Sequence, residues 1–484
     1  MLPALIILVL ACGWLLGLAL IPRILLQKRE SGATLAWMFA VAFLPYVGIL
    51  AFWMLGTRRI RWRRRKRQLA EAAIAPGIAA STESVRRFEA RAQETALASL
   101  AEPARELALL ADKVGRPSCG GNSVELLVDA EATFSRIDAA IDSAEHHVHV
   151  EYYIWRADDT GRRFRDMLVR AVRRGIEVRV LVDDVGSREA DRRFWKPLLE
   201  AGGRVARFLP VNVIARRYQL NNRNHRKIVV VDGRVGLTGG LNVGDEYFGR
   251  TASFAKWRDT HVRIEGPAVA RLQEIFVEDW FHMTNEDLAR PRYFQDPVPA
   301  GDQRVQILAS GPDDGRCHSI QLIHFAAVTL AKKRVFITTP YLVPDEPFLA
   351  ALRSAAYRGV DVRLLVPGRL DEPIVLHAAR SFYPELLEAG VAIHELGDAM
   401  LHSKTATVDG CWATVGSANM DRRSFLLNFE ANAVVYGPLL ARELERVFER
   451  DLANARRVEL SEFRRRPFSK RVLEGSARVL APLL

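Results

Sequence analysis

Two stretches of this chain obey one formula, and that repetition constrains its fold more than any other feature. Residues 224–242 read NHRKIVVVDGRVGLTGGLN, and residues 401–419 read LHSKTATVDGCWATVGSAN. Both fit His-x-Lys, four residues, Asp, six residues, then Gly-(Gly/Ser)-x-Asn. The surroundings repeat as well. HHVHVEYYIW reads as a strand, DTGRRFRDMLVRAVRRG as a helix ending near Gly175, and IEVRVLVDD as the next strand. KRVFITTPYLV, EPFLAALRSAAYRG (ending near Gly359) and VDVRLLVP repeat that order. Strands alternating with helices argue for an α/β sheet. A duplicated segment argues for two like halves related by a pseudo-twofold axis. The copies differ in length before the motif. Ala201 precedes His225 by 24 residues, whereas the matching Ala389 precedes His402 by 13. The extra stretch, VNVIARRYQLN, leads into His225 and is expected to border the site.

Within each motif the apolar run before the Asp reads as a buried strand. Side chains alternate along a strand, so His225 and Lys227 share a face, as do His402 and Lys404. The Gly-Gly-Leu-Asn and Gly-Ser-Ala-Asn turns let backbone and the short side chains of Asn242 and Asn419 approach a ligand closely. A doubled set of imidazole, ammonium and carboxamide suits a phosphodiester. Lysines neutralise its non-bridging oxygens and asparagines donate hydrogen bonds to them. One histidine can attack phosphorus while the other protonates the departing alcohol and then deprotonates the incoming one. The charge comes from the lysines, so no metal and no cofactor is expected. The four cysteines (Cys12, Cys119, Cys317, Cys411) are scattered and indicate neither a zinc site nor a disulfide framework.

The N-terminus has a different character. Neither Met1–Pro22 nor Ser31–Thr57 carries a charged side chain. A membrane span needs roughly 20 apolar residues, so both qualify. RRIRWRRRKR follows, with eight basic residues between Arg58 and Arg67. Cytoplasmic flanks are enriched in Lys and Arg, which places the bulk of the chain in the cytoplasm. The net charge of +12 fits an anionic partner. Lipid headgroups are expected, and nucleic acid is not, because the spans hold the site at a bilayer. Residues 68–115, rich in Ala, Glu and Arg, read as a mobile helical connector. The expected division is 1–57 transmembrane hairpin, 58–115 connector, 116–295 first half and 296–484 second half.

The paired motif resembles the HKD signature of the phospholipase D superfamily. RNHRKIVVVDG, TGGLNVGDEY, WRDTHVRIEGPAV, SGPDD, TTPYLVPDE and GSANMDRRSFLLNFE, with ATLAWMFAVAFLPYVGILAFWMLG near the start, are similar to blocks of the bacterial cardiolipin synthase family along nearly the whole chain. That resemblance implies an inner-membrane, multi-pass phosphatidyltransferase. It would join two phosphatidylglycerol molecules into cardiolipin and glycerol through a phosphohistidine. It implies His225 as nucleophile and His402 as acid then base, although the symmetry of the motifs permits the reverse. It also implies a carboxylate downstream of each motif, Asp259 and Glu430, to fix the histidine tautomer, with Glu430 serving His402. Lipid hydrolysis, another acceptor, a tethered nuclease and a non-catalytic scaffold stay open as other readings. The oligomeric state is not legible.

Other signals have plainer explanations. Asp232 and Asp409 sit at strand ends and read as turn or ion-pair residues. His147, His149 and Glu151 share a strand face with metal-like spacing, but no complementary ligands are visible, so a strand wall is expected. Glu151 could instead meet a motif lysine. Asp183 and Asp184 read as a strand end capping the next helix. The tail FRRRPFSKR reads as a solvated face, with membrane contact as the sharper option.

Overall fold

The computed structural model describes residues 2–26, 31–53, 60–98, 100–210, 222–251, 256–312, 318–397 and 399–481. The chain forms two compact units, 1–69 and 70–484.

In the first unit α1 (Leu2–Leu25) is followed by α2 (Ser31–Phe43) and α3 (Pro45–Ala51). Ile24, Val41 and Phe52 are fully buried against one another. The second uncharged segment, expected as one span, is thus broken at Leu44–Pro45. Proline removes a helical N–H and clashes with the preceding turn. Among the described residues no helix is long and apolar enough to cross a membrane.

The second unit carries strands β1 (Cys119–Val128), β2 (His147–Tyr152), β3 (Glu177–Asp183), β4 (Arg204–Phe208), β5 (Ile228–Val231), β6 (Val235–Gly239), β7 (Trp257–Arg258) and β8 (Thr260–Glu265). The second half contributes β9 (Gln303–Ser310), β10 (Arg334–Thr338), β11 (Leu342–Val343), β12 (Asp361–Pro367), β13 (Ala392–Leu396), β14 (Met400–Leu401), β15 (Thr405–Val408), β16 (Trp412–Gly416), β17 (Met420–Asp421), β18 (Glu430–Tyr436) and β19 (Ala455–Arg457). The main sheet runs β19-β13-β12-β10-β15-β16-β18-β9-β1-β8-β6-β5-β2-β3-β4. Reading outward from the β9–β1 junction gives the same series in both directions, with β19 added at one edge. The duplication is therefore visible as mirrored strand order.

Local chemistry sets the repeated elements. Asp158 and Asp345 accept the Gly161 and Phe348 backbone N–H groups and start equivalent helices, Asp159–Arg173 and Glu346–Tyr357. Both helices stop just before Gly175 and Gly359, which stand at φ 92° and 83° as glycine readily does. Apolar side chains from both halves meet in one core: Ile228, Val230, Val262 and Ile264 with Ala413, Val415, Ala431 and Ala433. This shared core joins the two halves into the single compact unit 70–484. The connector is helical, as α4 (Ile60–Ser81), α5 (Glu83–Ala98) and α6 (Ala104–Val114). Its end is packed rather than mobile, since Leu107, Ala108 and Ala111 are buried with Ile320 and Ile323 of the second half.

Candidate active site

Two short parallel pairings stitch the halves together beside the motifs. β14 pairs with β7, and the His402 N–H donates to the Arg258 carbonyl at 2.8 Å. Symmetrically, Asn224 bridges to Phe429, and the His225 N–H donates to the Phe429 carbonyl at 2.9 Å. Each motif histidine is thus tied by its backbone to the residue just before the other half's carboxylate.

The side chains follow that crossing. His225 Nδ1 lies 3.0 Å from Glu430 Oε2, and His402 Nδ1 lies 2.6 Å from Asp259 Oδ2. The expectation that Glu430 serves His402 is corrected. Each histidine is paired with a carboxylate from the opposite half, because the stitches put the motif of one half against the strand start of the other. An imidazole that gives its Nδ1 proton to a carboxylate keeps the Nε2 lone pair for chemistry.

All eight candidate residues converge here and are buried, with His225 and His402 keeping only 8% and 6% of their surface exposed. Lys227 Nζ donates to the His225 carbonyl at 2.6 Å, and Lys404 Nζ donates to the His402 carbonyl. Asn242 accepts from the Ile154 N–H (3.2 Å) and donates to the Tyr247 hydroxyl (3.0 Å), which leaves one of its two N–H donors. Asn419 donates to the Asp421 carboxyl, and its buried carboxamide oxygen has no partner among the described residues.

Burial decides most protonation states in the site. It pulls His225 down to about 4, helped by Lys227 and Lys404 and opposed by Glu430. Burial, Lys404, Lys227 and His225 hold His402 well below its usual value. Lys404 is lowered to about 8, mainly by burial. Burial also drives Lys227 well down, against the pull of Glu430. The carboxyls diverge. Burial raises Asp259 despite Lys404. Burial pushes Glu430 upward too, but His225, Lys227 and the Ser417 hydroxyl outweigh it and hold the carboxyl below its ordinary value.

The two sets are not copies in detail. Ser417 Oγ donates to Glu430 Oε2 at 2.5 Å, and the Ser417 carbonyl lies 3.0 Å from His225 Nδ1. Gly240 holds the equivalent place in the first motif, where a Cβ would sit 2.1 Å from Asp259 Oδ1. The Tyr247 hydroxyl lies 3.2 Å from His402 Nδ1. Aromatic rings flank both imidazoles, Tyr153 at 4.9 Å from His225 and Trp257 at 5.2 Å from His402. Between His225 and Lys227, Arg226 pairs with Asp279 and donates to the Glu430 carbonyl at 3.2 Å. Its counterpart Ser403 donates to Thr260 Oγ1 at 2.8 Å. Sequence reasoning missed the roles of Tyr247 and Ser417, although both lie in the quoted blocks.

Asp232 and Asp409 lie at the far ends of β5 and β15, five residues after the lysines. Both stand at φ 53° and open tight turns closed by Arg234 N–H to Val231 O and Cys411 N–H to Val408 O. The Asp232 carboxylate accepts the N–H groups of Glu145, His146 and His147 at 2.8 Å. Asp409 accepts those of Lys332, Lys333 and Arg334 at 2.8–2.9 Å. These acids anchor neighbouring strands and do not meet His225 or His402.

His149 stacks on Phe276 at 4.5 Å and meets Gln273, while Glu151 takes its hydrogen bond from Asn224 at 2.5 Å and not from a motif lysine. Asp183 caps a turn through Val185 and Gly186 N–H and also accepts from Asn224 N–H; Asp191 caps the following helix. Asp183 thereby anchors the segment that carries His225. The inserted stretch 211–221 lies outside the described residues.

A family model described as "Cardiolipin synthase, PLD-like domain" matches residues 137–280 and 325–452. One described as "Phospholipase_D-nuclease N-terminal" matches residues 13–56. The chain is 42% identical over 464 residues to a cardiolipin synthase of Geobacillus kaustophilus, covering 95% of this chain and 90% of that one. It is 39% identical over 466 residues to one from Alkalihalophilus pseudofirmus, covering 95% and 91%. The crystal structure of a phosphatidylserine synthase from Haemophilus influenzae has a TM-score of 0.59 at 15% identity, covering 78% of this chain and all of that one, a likeness of fold.

Proposed function

The chain belongs to the cardiolipin synthase family, and from that premise we propose that it transfers a phosphatidyl group from one phosphatidylglycerol to another, releasing glycerol. The observation that carries this reading is the crossed pair of His–carboxylate couples, each leaving Nε2 available in a site lined by two lysines.

His225 is the nucleophile. Its low proton affinity keeps Nε2 unprotonated at neutral pH. Glu430, held ionised, accepts the Nδ1 proton and stabilises the cationic imidazole that forms on phosphorylation. A phosphodiester anion bound among the histidines offsets the two lysine charges and raises the proton affinity of His402. His402 then protonates the departing glycerol oxygen from Nε2. Neutral again, it takes the proton of the incoming phosphatidylglycerol hydroxyl, which attacks the phosphohistidine and restores His225. Lys227, Lys404, Asn242 and Asn419 hold the non-bridging oxygens as charge builds in each transition state. Burial excludes water, which favours an alcohol acceptor over hydrolysis.

Residues 1–57 are the membrane hairpin, and the catalytic part lies on the cytoplasmic face of the bacterial inner membrane. Support comes from the apolar surface that the first unit leaves exposed, including Leu15, Phe39, Phe43, Val47 and Leu50, each more than half exposed. The domain division at 57, 115 and 295 follows the repeat, with α6 contributing to the second half's core. Purified protein given phosphatidylglycerol alone is expected to yield cardiolipin and free glycerol by mass spectrometry. Phosphatidic acid as the main product would replace this reading with a hydrolase.

A further inference from the structure

The C-terminal helix Phe468–Leu480 has two apolar faces, and only one is used by the fold. Glu474, Ala477 and Ala481 are buried, and Arg478 pairs with Glu385 at 2.6 Å and lies over the Phe382 ring. At 3.6 residues per turn, Phe468, Val472 and Val479 fall within about 40° of one another on the opposite side. They are 78%, 50% and 77% exposed. Lys470 and Arg471 on this helix and Arg465 just before it are exposed as well. From Arg464 to Arg478 the chain carries six basic residues against one acid, Glu474, which Arg466 already pairs internally.

The helix packs on the helix Pro373–Arg380. That second helix begins beside Asp371, whose charge acts on Lys404 and whose carboxyl lies 3.4 Å from the Tyr341 hydroxyl. The exposed apolar stripe is therefore one helix removed from the catalytic lysine. An exposed apolar stripe with cations beside it that have no ion-pair partner among the described residues matches the boundary between anionic headgroups and acyl chains.

We propose that the outward face of helix 468–480 inserts into the anionic lipid surface and seats the mouth of the active site against its substrate. The inference rests on the lipid phosphodiester reading above. It adds a second membrane contact, made by the catalytic unit itself. Phe468, Val472 and Val479 occupy the headgroup–acyl boundary, and Lys470 and Arg471 meet phosphates beside them.

The test uses the full chain reconstituted in phosphatidylcholine vesicles with increasing phosphatidylglycerol. The triple variant Phe468→Ser, Val472→Ser, Val479→Ser is expected to need five- to tenfold more surface phosphatidylglycerol for half-maximal rate, with kcat unchanged. Phe468→Leu, Val472→Leu, Val479→Leu is expected to restore the parent value. On short-chain phosphatidylglycerol below its micelle concentration, all three proteins are expected to turn over equally. An environment-sensitive fluorophore at Phe468→Cys, in a Cys12→Ser background, is expected to shift blue as phosphatidylglycerol is added to the vesicles. An unchanged lipid requirement in the serine variant would overturn the proposal. So would a fluorophore that responds to protein concentration in detergent instead of to anionic lipid, which would mark a contact between copies. Loss of turnover on short-chain substrate in the parent would instead count against the catalytic reading, so the two failures are distinguishable.

Discussion

The two His–Lys–Asn sets share a framework and differ in what surrounds it. Both have a histidine backbone tied to the opposite half, an Nδ1–carboxylate couple, and a lysine that reaches back to the histidine carbonyl. Around His225 the carboxylate is Glu430, longer by one methylene, supported by the Ser417 hydroxyl and held below its usual proton affinity. Around His402 the carboxylate is Asp259, set against a bare Gly240 and raised by burial, and the Tyr247 hydroxyl meets His402 Nδ1. Duplication explains the shared part. The divergence fits two roles: a nucleophile needs a firmly anionic partner for the cation that forms on it, whereas an acid–base group must exchange its proton readily.

Removing either carboxylate charge gives the largest effect after loss of a histidine. Glu430→Gln and Asp259→Asn are each expected to lower kcat by about 10³–10⁴-fold, the scale seen when a tautomer-fixing acid becomes an amide. Rapid-quench measurement separates them. Glu430→Gln is expected to slow phosphohistidine formation. Asp259→Asn is expected to slow that step too, because glycerol departs in it, and to slow acceptor attack as well. Slowing of acceptor attack in neither variant, or equally in both, would argue against divided roles.

Exchanging the small residues behind the carboxylates sharpens the asymmetry. Gly240→Ser forces a Cβ into Asp259 and is expected to cost about 10²-fold in kcat, the scale of a misplacement near 1 Å. Ser417→Gly removes the hydrogen bond to Glu430 and the one that Ser417 Oγ accepts from the Ala431 N–H at 3.0 Å, without forcing an atom into the carboxylate. It is expected to cost roughly 10-fold, equivalent to about 1.5 kcal/mol. Steady-state kinetics on vesicles compares the two.

The pH profile tests the electrostatics. His225, lowered to about 4, stays neutral from there upward, so on the acid side kcat/KM is expected to fall as pH drops through that region. Lys404, lowered to about 8, loses its proton as pH rises through that value, and the rate is expected to fall with it. Lys404→Arg keeps a charge at every accessible pH and is expected to remove the Lys404 part of that alkaline limb, whatever it does to the plateau, leaving the part due to the equally buried Lys227.

The smallest catalytic effect belongs to the motif acids. Asp232→Ala and Asp409→Ala each strand three backbone N–H groups. Each is expected to cost about 1–3 kcal/mol of stability in chemical denaturation, with kcat of the folded enzyme changed less than threefold.

The repeat, the two His, Lys and Asn sets and the turn role of Asp232 and Asp409 could be read from spacing, because strand alternation and a Gly-rich turn are local properties; Asp259 and Glu430 came from the family resemblance. The crossed pairing could not be read. It depends on where β7 and β14 meet across the junction of the halves, and nothing in either motif encodes that. The nearest downstream carboxylate is the natural local choice, and topology overrides it. The burial of α6 was hidden for a similar reason: its apolar stripe of Leu107, Ala108 and Ala111 gains meaning only from Ile320 and Ile323, more than 200 residues away. Tyr247 and Ser417 were visible as residues, but their contacts arise from the folded site.

The most direct test of the divided roles is to trap the covalent intermediate. Enzyme quenched with acid during turnover of ³²P-labelled phosphatidylglycerol, then digested under conditions that preserve phosphohistidine, is expected to carry label on the peptide containing His225. His402→Ala, which cannot protonate efficiently, is expected to label slowly at that same residue. Label on His402 in the parent enzyme would contradict the account and reverse the two halves.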